Sequence, residues 1–186
     1  MTPLQRIHYW HDIWELRKNK LFNTFYDRIQ KSSQIIYVMY GRTHSSEDNS
    51  PSEAYFDYRN NTICLGMSYD IWDLTEELYH AYQHINNTLI DGHNADYEAN
   101  VVRLLSISPT ATPFESLKEM EVNIALGIYG TDETGSFTIE NEKMFVTDYI
   151  NSGKLFINEP GRDPHYHIPV ISCPPLLLEL LRTVFR

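Results

Sequence analysis

Between residues 3 and 31, Leu4, Ile7, Trp10, Ile13, Trp14, Leu21, Phe25 and Ile29 recur mostly every three or four positions. That period lines apolar groups along one side of a helix and predicts one or two amphipathic helices. Residues 34–40, QIIYVMY, are β-branched and aromatic, end at Gly41, and predict a strand. The polar, aperiodic stretch THSSEDNSPS reads as a loop. EAYFDY and TICLGM then flank Arg59-Asn60-Asn61, a turn-forming cluster, and predict a β-hairpin.

From Tyr69 the period is helical again. Ile71, Leu74, Leu78, Ala81 or Tyr82, Ile85 and Leu89 form a stripe that is broken after Asn86-Asn87 and closed by Asp91-Gly92. A second helix is expected from Ala95 to Ile107, ahead of Pro109, and a third from Phe114 to Tyr129. Residues 131–172 read as mixed, with short strands and an irregular EPGRDPHYHIP segment. Cys173-Pro174-Pro175 opens a last helix, because proline is tolerated in a first turn. Strands followed by a helix-rich remainder imply one α+β domain over residues 1–186: a short antiparallel sheet or hairpin, then a chemistry-bearing helix and a helix-rich C-terminal half.

Composition narrows the partners. With 25 acidic against 15 basic residues and a formal charge of −10, and with the cations scattered, general affinity for nucleic acid or an anionic membrane is not expected. The two cysteines, Cys64 and Cys173, are far apart and form no C-x-x-C pair, so both are expected to be reduced. The first twenty residues contain histidines, Asp12 and Glu15 where a secretory leader needs an apolar run. A cytoplasmic location is the resulting expectation.

The chemistry concentrates in TEELYHAYQHINN, residues 75–87. On a helix, Glu76, His80 and His84 lie one above another, with Glu77 displaced by about 100° around the axis. Ligands four residues apart can close on one metal ion, and the residue after the first can reach a water bound to it. A second register, His80 with His84, keeps two histidines at that spacing but puts Ala81 where a base would stand.

EELYHAYQ resembles the HELxHAxQ helix of small bacterial zincin-type metallopeptidases of the gluzincin group, with Glu76 in place of the first histidine. In that group a glutamate on the following helix completes the ligand set, and Glu98 of DYEANVVRLL lies 18 residues beyond His80. The preceding hairpin also matches the zincin order, in which an edge strand lines the substrate cleft. The resemblance spans about residues 34–107. It implies a metal-dependent peptidase in which Glu77 is the general base and Glu76, His80 and Glu98 are the metal ligands, with His84 as a further ligand candidate. The expected ion is zinc, or iron or manganese, because two carboxylates and one imidazole are less selective for zinc. His165 and His167 are candidates for stabilising an oxyanion. The substrate would be a peptide or protein. If the altered ligand has ended catalysis, the same cleft would serve an inactive pseudo-peptidase that binds peptides without metal.

Overall fold

The computed structural model describes residues 1–41, 54–88, 92–107, 139–157 and 174–184. Helix α1 (Pro3–Leu16) starts on a reciprocal cap: Thr2 accepts from the Gln5 amide, the Gln5 side chain accepts from the Thr2 amide, and Pro3 sits in the first turn. It turns an unexpected face inward. Tyr9, Asp12, Ile13 and Leu16 are buried, whereas Leu4, Ile7, Trp10 and Trp14 stay 56–76% exposed. Two stripes of this helix satisfy the same period, and the one holding Asp12 is chosen because Tyr69 donates a 2.8 Å hydrogen bond to that buried carboxylate. The Tyr69 hydroxyl in turn accepts from Tyr40 at 2.7 Å.

Asn19 breaks the chain between α1 and α2 (Lys20–Lys31) by accepting from the amides of Leu21 and Phe22. Its side-chain amide donates to the Leu105 carbonyl, so the same residue anchors the break to a distant helix. Three strands follow: β1 (Tyr37–Tyr40), β2 (Tyr55–Asp57) and β3 (Thr62–Leu65). The hairpin β2–β3 is antiparallel as expected, pairing Tyr55 with Cys64 and Asp57 with Thr62. The sheet is nevertheless mixed. β3 is central, and β1 pairs with it in parallel, Tyr37 opposite Thr62 and Tyr40 opposite Leu65. The expected antiparallel hairpin is present, and β1 makes the sheet mixed, with β3 between β1 and β2.

Helix α3 (Ile71–Ile85) is capped by Asp70, which accepts from the Trp72 and Asp73 amides while Asp73 reaches back to the Asp70 amide. It packs against α2, β2 and α4 (Gly92–Ser106). Of the stretch 131–172, where short strands are expected, the described residues form α5 (Ile139–Ile157), a 19-residue helix, and the rest lies outside the described residues. Asn151-Ser152-Gly153 suggests a turn in sequence, but Phe145 and Tyr149 lie four apart and are both 1% exposed. Burial of that pair overrides the local signal. Helix α6 (Pro175–Val184) opens on Pro175 and buries Leu176, Leu177, Leu178, Leu180 and Leu181. The helix expected at 114–129, the EPGRDPHYHIP segment, Cys173, His165 and His167 lie outside the described residues.

One core runs through these elements. Phe22 and Phe25 of α2 and Tyr79 and Tyr82 of α3 are all at most 1% exposed, with Phe25 edge-on to Tyr79 at 5.4 Å. α3 is therefore held rigidly along its length. Among the described residues no helix is long and apolar enough to cross a membrane.

Candidate functional site

The middle of α3 is buried on nearly every side, and its polar residues are buried with it: Thr75, Glu77, His80 and Gln83 are each at most 9% exposed. A buried polar group must find a partner inside the protein. Gln83 supplies much of the answer. Its amide nitrogen donates to the Ala95 carbonyl at 3.1 Å and to Glu98 at 2.8 Å, both on α4. Its amide oxygen therefore faces His80 Nδ1, 2.9 Å away. Since that oxygen can only accept, Nδ1 carries the proton.

This fixes the other ring nitrogen. His80 Nε2 faces Asp96 at 3.6 Å. Burial opposes the charged imidazolium, yet the carboxylates of Glu77, Asp96 and Glu76 outweigh it and hold the His80 pKa above its usual value. Glu77 shifts the same way for the opposite reason. Burial pushes its carboxyl up to about 7, against the pull of His80 and of the Phe56 amide of β2. A carboxyl at that value exchanges its proton near neutrality, as a general base must.

Glu76 is drawn elsewhere. Arg103 of α4 donates to its carboxylate at 2.5 Å and Asn100 at 3.2 Å. Arg103 is itself braced, because Nη2 donates to the Asn100 side-chain oxygen at 2.6 Å and the guanidinium lies 5.6 Å from the centre of the Trp72 ring. Burial raises the Glu76 pKa, and Arg103 and His80 only partly offset it.

Glu98 sits deepest. One carboxylate oxygen accepts from Gln83 and the other from the Leu177 amide at 3.0 Å, on the first turn of α6. Burial still leaves its pKa above the ordinary range. Because Gln83 bridges His80 Nδ1 to Glu98, the carboxylate lies on the Nδ1 side of the imidazole, whereas Nε2 looks toward Asp96. His84, one turn beyond His80, packs its ring against Phe56 at 5.5 Å.

The sequence-derived residues thus share one neighbourhood without sharing one focus. Glu76, Glu77, His80 and Glu98 all lie at the α3–α4 seam, but Glu76 is spent on Arg103 and Asn100, and Glu98 on Gln83 and Leu177. As arranged, these donors do not fit a metal ion. Among the described residues no group of three or more His, Cys, Asp and Glu side chains is placed to hold one. Sequence reasoning missed Gln83, Asp96, Asn100 and Arg103. All four lie inside the stretches that carried the zincin resemblance, and Asn100 and Arg103 stand three apart, the spacing that puts both on one side of a helix.

Fold and site define a helix-rich α+β domain with a carboxylate–histidine cluster buried between two successive helices. No protein-family model, no curated protein and no solved structure matches the chain.

Proposed function

We propose that this chain is a zincin-like domain that binds an extended peptide segment of a protein partner along β2 and α3, and does not cleave it. The observation that carries this reading is the internal use of both carboxylate ligand candidates: Arg103 and Asn100 hold Glu76, and Gln83 and Leu177 hold Glu98. Support for a peptide site comes from the sheet. Among the described residues β2 pairs with a strand on one side only, and an edge strand offers main-chain groups to an added strand. Tyr55 and Asp57 of β2, with Met39, Thr62 and Cys64, line a hollow of about 330 Å³ over one face of the sheet, reaching from β1 across β3 to β2. Side chains of an added strand alternate faces, so every second one would reach this side.

A second reading is favoured by one specific observation, the Glu77 carboxyl held at about 7 beside His80. That is the condition of a general base, and it supports a hydrolase in which Glu77 acts on a peptide substrate. Both readings are tested by panning phage-displayed random peptides on the immobilised protein in EDTA. A captured peptide is then labelled for fluorescence anisotropy and for mass spectrometry. Binding that survives EDTA, leaves the peptide intact and falls at least about tenfold in Tyr55→Ala, which removes a ring lining the hollow, supports the binding domain. Cleavage by the native chain that is absent in Glu77→Gln overturns it in favour of the hydrolase.

A further inference from the structure

Around His80 the chain gathers three carboxylates from two helices. Asp96 faces Nε2 at 3.6 Å, and Glu77 and Glu76 both act electrostatically on the ring. Like charges in a partly buried space repel unless a cation lies among them. Zincin-type chemistry would place a metal ion there. Among the described residues a permanent cation stands at the edge of this cluster, the Arg103 guanidinium, bonded to Glu76 with both side chains about four-fifths buried.

We infer that Arg103 takes the part of the cation, drawing the Glu76 carboxylate onto α4 and closing the His80 cluster to divalent metal. Several details fit a fixed substitute rather than a casual ion pair. The guanidinium is clamped by Asn100 and Trp72 as well as by Glu76. A guanidinium keeps its charge at any physiological pH, so the neutralisation is permanent. His80 meanwhile retains the posture of a metal ligand, with Nδ1–H fixed by Gln83 and Nε2 turned toward a carboxylate. Asp96, not Glu98, is the α4 carboxylate on the Nε2 side.

The pairing explains why a glutamate stands at position 76. A histidine there would leave Arg103 without its carboxylate, and a glutamate with no arginine would leave the cluster with excess negative charge. The full return of metal affinity therefore needs both positions to change. This rests on the metal-free reading proposed above, but its test is separate, since it measures zinc rather than peptide.

The experiment is zinc titration of the full chain by competition with a chromophoric chelator, with circular dichroism as the check on folding. The variants are Glu76→His, Arg103→Met and the double variant, which removes both members of the pair and so leaves no stranded charge. Relative to the native chain, Arg103→Met is expected to tighten zinc binding at least about tenfold, the scale of one removed neighbouring charge. The double variant is expected to bind most tightly, while Glu76→His alone gains less than about threefold because the guanidinium remains. Adding His80→Ala to the double variant should abolish the gain. The inference is overturned if Glu76→His alone matches the double variant, if the folded double variant binds zinc no better than the native chain, or if the gain survives His80→Ala.

Discussion

Gln83 on α3 and Glu98 on α4 are joined by a buried 2.8 Å hydrogen bond, and through that bond His80 is oriented from one helix and α6 is anchored from the next. Replacing Gln83 with alanine removes the donor and leaves a buried carboxylate short of one hydrogen bond, with the Leu177 amide still on its other oxygen. The expected loss is about 2–3 kcal/mol of unfolding free energy, read by urea denaturation. The His80 ring should also lose its fixed tautomer, which nitrogen-15 shifts of the imidazole would report.

Glu77 makes stability depend on pH with a definite sign. Its carboxyl titrates near 4.5 in the unfolded chain and about 7 in the folded one. The folded state therefore binds the extra proton between those values, and stability falls as pH rises from about 4.5 to about 7, then levels off. His80, also raised, adds a loss in the same direction as pH climbs through its folded value. For Glu77 the span is of the order of 3 kcal/mol. Glu77→Gln should flatten this part of the profile and melt higher than the native chain at pH 8. A native melting temperature that increases steadily from pH 5 to pH 8 would contradict the assignment.

The two faces of α1 separate cleanly in a mutational test. Ile13 is 2% exposed and Ile7 66%. Ile13→Ala should cost about 2–4 kcal/mol, the range for an emptied core site. Ile7→Ala should stay within about 0.5 kcal/mol, as exposed substitutions do. Equal losses at the two positions would mean that the outer stripe is covered.

Tyr69→Phe removes the hydroxyl that donates to Asp12 and accepts from Tyr40. Among the described residues Asp12 then keeps His8 and His11, both on its own helix and both largely exposed, and the more distant Tyr40. A loss of about 1–3 kcal/mol is expected by denaturant titration, with α1 the first element to lose amide protection in hydrogen exchange.

Much of this architecture is legible in residue order, for reasons visible at particular positions. The stripe from Ile71 to Ile85, the Asn-rich turn between β2 and β3, and Pro175 at the head of α6 each combine period with a local stop or start signal. What escapes are choices that depend on distant partners. Nothing near residue 13 says that Asp12 will be buried, because its partner Tyr69 is 57 positions away. The helix Ile139–Ile157 hides behind Asn151-Ser152-Gly153. At the candidate site the sequence identifies the donors Glu76, Glu77, His80 and Glu98 but not their occupants. The partner of Glu76, Arg103, stands 27 residues further along, where no local signal points to it.

The mixed sheet bears on how the chain folds. β2 and β3 are neighbours across a tight turn and close at little entropic cost, and α3 with α4 can zip locally in the same interval. β1 has no such shortcut: its parallel partner Thr62–Leu65 comes only after the intervening chain has doubled back. Refolding should therefore assemble the hairpin and the α3–α4 pair early and add Tyr37–Tyr40 as a late, separate event. Until that strand docks, the flank of β3 that will receive it remains open to strands of other molecules, so the yield of refolded protein should fall as its concentration rises.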